Sequence, residues 1–258
     1  MTNIRALVGA AAGLSTRATS GAVQFDGSTH LERGGDLTGN ANSDFCTFSF
    51  WGRYDDDDND DNDTHIFSTA ALRFRIRNSA NGVNVEAKHT SPAFGSADCQ
   101  YGSSGMHTEN EKWHHYCGTV DTNANSNCNF FVDDVKDVNY AQDADGSYTI
   151  GFVQSNHAIG GKPGSSANKI KMSIYEYWIG IGVNLQMDTT SNRRKFINAD
   201  LTPVSLGSDG STPTGTAPLI YMTGGPSEFV TNKGSGGNFS VTSGSLIDVG
   251  PPIKANAI

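Results

Sequence analysis

The chain of 258 residues is poor in charge: only 17% of its residues are Asp, Glu, Lys or Arg, and 18 basic residues against 27 acidic ones leave a formal charge of −9. No basic stripe or Arg-rich arm is present, which argues against a nucleic-acid surface. No apolar run approaches the roughly 20 residues that a membrane-spanning helix needs. Cysteine is sparse as well. The four residues Cys46, Cys99, Cys117 and Cys128 contain no CxxC pair, and no spacing with His107, His114 and His115 matches a zinc site. His114 and His115 are successive residues of a strand pattern, so they face opposite sides. The four thiols are compatible with a disulfide between two of them, and sequence does not settle connectivity. They are expected to stay reduced, with Cys46 and Cys117 as small apolar core groups.

Hydrolytic machinery is missing too. A sandwich glycosidase needs two carboxyl groups on one strand face, yet Glu176 is the lone acid of the longest apolar strand pattern, and Glu109 and Glu111 sit in polar loop sequence. GSSG at 102–105 is one residue short of a nucleophile elbow.

What is present is β-structure. The stretches 44–54 (DFCTFSFWGRY), 113–123 (WHHYCGTVDTN) and 158–180 alternate bulky apolar residues with small or polar ones, the period of strands with a buried face. Thirty Gly, thirteen Phe, eight Tyr and three Trp suit an all-β chain with aromatic-rich layers and many turns. Strands are expected at 22–25, 30–32, 45–54, 65–68, 72–77, 83–88, 113–120, 128–132, 135–140, 147–150, 158–160, 169–180, 219–223 and 238–242. In 45–54 the pattern places Cys46, Phe48 and Phe50 on one face and Thr47, Ser49 and Trp51 on the other. The segment 89–111, rich in Gly, Ser and Ala, reads as a long surface loop. TSNRRKFIN after residue 189 is the one helical candidate, with Asp188 or Thr189 as cap and Arg193, Arg194 and Lys195 toward its C-terminal end.

The order of the three landmark stretches resembles the laminin-G-like, concanavalin-A-like jelly rolls. MSIYEYWIGIG (172–182) followed by TTSNRRKFI is similar to the last strand and short helix of that family, with Glu176 at its acidic position. The stretch from RRKFINADL to YMTGG (193–225), and then TNKGSGGNFSVTSG (231–244), resembles C-terminal extensions of laminin-G-like proteins of tailed bacteriophages. The expected fold is therefore an all-β, concanavalin-A-like jelly-roll β-sandwich over 21–200, with an N-terminal arm over 1–20 and a β-containing C-terminal extension over 201–258. The resemblance implies a non-catalytic virion structural protein assembled in a bacterial host cytoplasm. It would be a capsid decoration or head or tail fibre component, with capsid or tail proteins and further copies of itself (a trimer among them) as partners, and a glycan-binding face toward the host surface. A secreted carbohydrate-binding, lectin-like module is the alternative.

Candidate sites follow from composition. Tyr101, His107 and Asn125 combine an aromatic platform with hydrogen-bonding groups at loop ends, as sugar sites do. Trp113 begins a core strand and reads as buried. Asp55, Asp57, Asp58, Asp60 and Asp61 belong to a run of seven acids in nine positions, 55–63. That run is either a Ca²⁺ site built of hard oxygens or a solvated hairpin tip; Ca²⁺ is the only cofactor it suggests. Asp121, Asp133, Asp134 and Asp137 carry the same two readings. In the arm, ALVGAAAGL (6–14) is too Ala- and Gly-rich to read as an export signal, and Ile4, Leu7, Val8 and Leu14 are candidates for docking on a partner.

Overall fold

The computed structural model describes residues 21–54, 64–70, 74–79, 82–87, 99–102, 112–123, 128–137, 140–142 and 149–255. Among the described residues sixteen strands and two single-turn helices follow one another: β1 (Ala22–Asp26), β2 (His30–Gly34), β3 (Phe45–Tyr54), β4 (Thr64–Thr69), β5 (Phe74–Ser79), β6 (Gly82–Ala87), β7 (Cys99–Gly102), β8 (His114–Asp121), β9 (Asn129–Val132), β10 (Val135–Lys136), β11 (Tyr140–Gln142), β12 (Asn156–Ile159), β13 (Lys171–Ile181), α1 (Thr190–Arg193), β14 (Ile220–Met222), α2 (Pro226–Phe229), β15 (Ser240–Ser243) and β16 (Ile247–Val249). They form two antiparallel sheets. The first runs β10-β9-β8-β3-β13-β1-β16, and the second β11-β7-β6-β5-β4-β12-β2-β15. One flank of β13 is shared, its first half pairing with β1 and its second half with β14.

Between the sheets lies an aromatic core. Phe48 and Phe50 of β3 meet Tyr116, Phe130 and Tyr177, with Phe50 stacked on Tyr116 at a centroid distance of 5.1 Å. Fully burying each such ring contributes about 1.5–3 kcal/mol. Gly118 of β8 is what lets Phe48 in: a Cβ there would stand 2.6 Å from Phe48 Cζ and 2.5 Å from the Asn129 carbonyl.

The outer face of the first sheet is buried as well, so β3 is covered on both sides. Cys117, Phe131, Trp178, Met187, Phe196, Leu206 and Tyr221 form one outer cluster, and Ala22, Trp51, Trp113, Ile197 and Ala255 another. The cover is the chain after β13. Trp178 donates its indole N–H to the Gly210 carbonyl at 2.8 Å and meets Phe196 edge-on at 5.2 Å. Arg193 anchors α1: it donates to Asp134 at 2.5 Å and to the Met187 carbonyl at 2.6 Å, and lies 4.2 Å above the Phe131 ring.

A bulge in β13 sorts its aromatic residues. The register with β3 shifts between Tyr175 and Trp178, and Glu176 takes the left-handed φ of +50°. The extra residue resets the alternation, so Ile174 and Tyr177 both enter the inter-sheet core while Tyr175 and Trp178 face the outer cover.

Several expectations are corrected. Part of the supposed 89–111 loop is strand: β7 pairs with β6 and β11, because backbone pairing tolerates CQYG once neighbours on both sides supply the ladder. At 147–150, the described end makes a single bridge, Ser43 to Ile150, rather than a strand. The pattern at 135–140 is two strands in different sheets. The helical candidate is one turn and its Thr189 side chain makes no cap bond; Arg193 does lie in its last turn, buried by its ion pair. Cys46 and Cys117 are free buried thiols, but they lie on opposite faces, Cys46 between the sheets and Cys117 under the outer cover. β16 and α2 had no sequence signal. His114 and His115 do face opposite ways, and Trp113 is buried at 7% exposure.

Candidate functional site

The central strands of the first sheet end together. β3 begins at Phe45 opposite Asp121, the last residue of β8, and β13 ends at Ile181 opposite Cys46. The chain leaving β13 is held across this tip by two outward threonines. Thr47 donates to the Val183 carbonyl at 2.9 Å and accepts the Leu185 N–H at 3.0 Å, and Thr119 donates to the Leu185 carbonyl. These are the polar partners of the alternating pattern, and they bind backbone rather than water.

That placement gathers side-chain amides around one buried carboxylate. Asp121, 3% exposed, accepts the Asn123 N–H at 3.0 Å, the Asn184 amide at 3.2 Å and the Gln186 amide at 3.3 Å. The Asn123 amide reaches Asp44 at 3.2 Å, and the Thr122 N–H caps the Asp44 carbonyl at 3.0 Å. A carboxylate accepting this many donors fixes a turn that would otherwise leave its amides to water.

Residues next to this cluster in sequence line a cavity of about 330 Å³, formed by Gly39, Ala41, Asn42, Ser43, Ile181, Gly182, Val183 and the 216–219 segment. Among the described residues its lining carries no charged and no aromatic side chain. Asn42 uses its Oδ1 to accept the Val153 N–H at 2.9 Å, and Ser43 Oγ accepts the Phe45 N–H at 3.1 Å. The Asn42 NH₂ group, the Ser43 hydroxyl hydrogen and the Thr216 hydroxyl are engaged by no described residue.

Other acids are committed elsewhere. Asp133 and Asp134, both at positive φ, make the tight turn between β9 and β10. Asp133 binds the His114 ring at 2.5 Å and the His115 N–H at 2.8 Å. Asp134 binds Arg193 and Arg194, whose hydrogen bonds outweigh the upward push of its partial burial and hold its carboxyl below the usual range. The cation reading of these two is therefore corrected: each already has its donors. Glu176 is 8% exposed; burial pushes its carboxyl upward, against hydrogen bonds from Tyr221 (2.5 Å), Tyr175 and Thr223. It ties β14 to β13. Among the described residues no group of three or more His, Cys, Asp or Glu is placed to hold a metal ion.

Of the candidates from sequence, Tyr101 lies in β7 at the register position opposite Val85, in a strand rather than a loop. His107, Asn125, Asp55, Asp57, Asp58, Asp60, Asp61, Ile4, Leu7, Val8 and Leu14 fall outside the described residues. The tip site was missed because its members are single Asn, Asp, Ser and Thr residues spread over 42–44, 121–123, 184–186 and 216. The available signal was the position of Asp44, Asp121 and Asn184 at the edges of strong strand patterns.

No family model matches the chain, and no curated protein matches it by sequence. Solved structures do match. A Bacteroides ovatus protein provisionally named as carbohydrate-binding superposes with a TM-score of 0.60 at 13% identity, covering 92% of this chain and 62% of that one. The fold is a two-sheet antiparallel jelly-roll β-sandwich. Domains LG4-5 of the mouse laminin α1 chain match with a TM-score of 0.43 at 14% identity, over 61% of this chain and 41% of theirs. The binding domain of botulinum neurotoxin DC, in a complex with SialylT, gives 0.40 at 15%, over 56% and 33%. The jelly roll thus spans about three fifths of the Bacteroides structure and less of the others. At these identities only the fold is common ground. No described helix is long and apolar enough to cross a membrane.

Proposed function

We propose that the protein is a non-catalytic glycan-binding module whose binding site is the strand-end tip. The observation that carries this reading is the pairing of an uncharged cavity with a carboxylate-ordered cluster of Asn and Gln amides on the same two segments. Sugars are bound by such directional donors and acceptors beside apolar surface. Catalysis by paired carboxylates finds no support among the described residues, since Glu176 is tied to Tyr221 and Thr223, and Asp121 to three amide donors. The name of the Bacteroides structure agrees with this reading. A glycan array probed with the full chain tests it: retention of at least one glycan class with no reducing ends released is expected, and blank arrays would overturn it.

The setting we propose is a virion of a tailed phage, as a capsid decoration or fibre component docked through the arm. The resemblance of residues 193–225 and 231–244 to phage extensions supports it. Counting copies per purified particle by quantitative mass spectrometry is the test. Hundreds of copies fit a decoration, a handful fits a tail or fibre part, and absence would overturn the virion setting and leave a free-standing lectin.

A further inference from the structure

The tip cavity has a composition unlike the usual sugar platform. Its lining includes the aliphatic side chains of Ile181, Val183, Pro218 and Leu219, and among the described residues that line it there is no aromatic ring to stack against the face of a pyranose. An aliphatic pocket of about 330 Å³ is at the small end of ligand sites and accepts a methyl-sized apolar group better than a flat hydroxylated ring, whose polar groups would be left unpaired there. Among the same lining residues are Asn42, Ser43 and Thr216, whose NH₂ group, hydroxyl hydrogen and hydroxyl are engaged by no described residue, Asn42 and Thr216 being exposed. A ligand that complements the cavity therefore presents a carbonyl oxygen next to a methyl group.

Charge narrows the choice. Among the described residues the lining holds no Lys, Arg or His, the adjoining cluster contributes the carboxylates of Asp44 and Asp121, and the whole chain carries −9. An anionic sugar would enter an unfavourable field with no partner for its own charge.

We infer that the tip cavity recognises an uncharged N-acetylated sugar residue through its acetamido group, the methyl packing on Val183, Pro218 and Leu219 and the carbonyl accepting from Asn42 or Ser43. This rests on the glycan-binding reading above and adds the ligand class to it.

The test is saturation-transfer NMR and titration calorimetry on the full chain with N-acetylglucosamine, N-acetylgalactosamine, glucose, galactose and N-acetylneuraminic acid. One or both neutral N-acetylhexosamines are expected to bind at least tenfold more tightly than glucose, galactose or the anionic sugar. Ala217→Phe, which fills the cavity, is expected to remove that binding. Asn42→Asp keeps the acceptor for the Val153 N–H but deletes the NH₂ donor, and is expected to weaken it about tenfold, the worth of one well-placed hydrogen bond. Thermal melts matching the parent protein would show that both variants are folded; should Ala217→Phe not fold, Asn42→Asp and the sugar ranking decide alone. Equal binding of glucose, preference for the anionic sugar, or N-acetylhexosamine binding untouched by both folded variants would overturn the acetamido assignment while leaving glycan binding intact. Failure of every sugar here and on the array would overturn both.

Discussion

The two faces of the first sheet are buried by different means. Toward the second sheet, strand packs on strand, and Phe48, Phe50, Tyr116 and Tyr177 interlock across the sandwich. Away from it, the cover is a chain of turns with one turn of helix, reaching Trp178, Phe196 and Tyr221 through irregular backbone. The inner face is bought by periodicity; the outer depends on particular anchors, namely Trp178 on Gly210, Arg193 on Asp134 and Thr47 on Val183. A sheet buried on both faces needs no regular partner on the second, provided the covering backbone finds its hydrogen bonds.

Substitutions on the two faces test this. If the outer cover is core in the full sense, Trp178→Ala loses about 3–5 kcal/mol, as Phe50→Ala does, in urea unfolding monitored by circular dichroism. A loss under about 1 kcal/mol would mean that the cover is a loosely held wrap. Next in size, Arg193→Ala is expected to cost about 2–3 kcal/mol by leaving Asp134 short of a partner. Combined with Asp134→Ala it should cost less than the sum of the two, because both remove one interaction.

A smaller effect separates the bulge from the anchors by its pH dependence. Burial raises the carboxyl of Glu176 above its ordinary range, so its contribution to stability is fully present below the unfolded value, about pH 4.3, and is lost as pH rises through the folded value. Glu176→Gln cannot titrate. Its melting temperature is expected to match the parent near pH 4 and to exceed it at neutral pH, with the gap opening in between. Asp134 runs the other way: its folded value is lowered, so its contribution is present above the unfolded value and fades as pH falls through the folded one. A melting series from pH 3 to 8 on both single variants distinguishes the two slopes. Smallest of all is a chemical probe. Burial pushes the Cys117 thiol up to about 12, and raises Cys46 as well. Both are expected to stay unlabelled by maleimide at pH 7.5 in the folded protein and to react once it is unfolded.

The inner face was legible in the sequence, the outer face only in part. FCTFSFWGRY and WHHYCGTVD announce strands because alternate residues must point the same way, and β3 and β8 lie where the pattern puts them. Thr47 and Thr119 look like solvent-facing residues by the same rule, yet they hold the 183–185 segment; alternation reports which side a residue faces and not what meets it there. The aromatic run at 174–179 was readable as a central strand, but the assignment of Tyr177 inward and Trp178 outward depends on the Glu176 bulge, which no period reveals. β7 and β16 are short and lack bulky alternation, and they exist because a neighbouring strand offers its edge. The tip site escaped for a related reason: no two of its segments are close in sequence, and their meeting is a product of topology.

The placement of β1 has a bearing on how the chain is made. It lies between β13 and β16, so a strand made well before both its partners has one flank unpaired until residue 174 is made and the other until residue 249. Pairings of such sequence separation form slowly, and in the interval Val23 and Phe25 lack the strand neighbours they have in the folded sheet. Vectorial synthesis thus makes the C-terminal stretch the closing step of the whole sandwich, and a ribosome that stops before residue 249 releases a chain with an open edge.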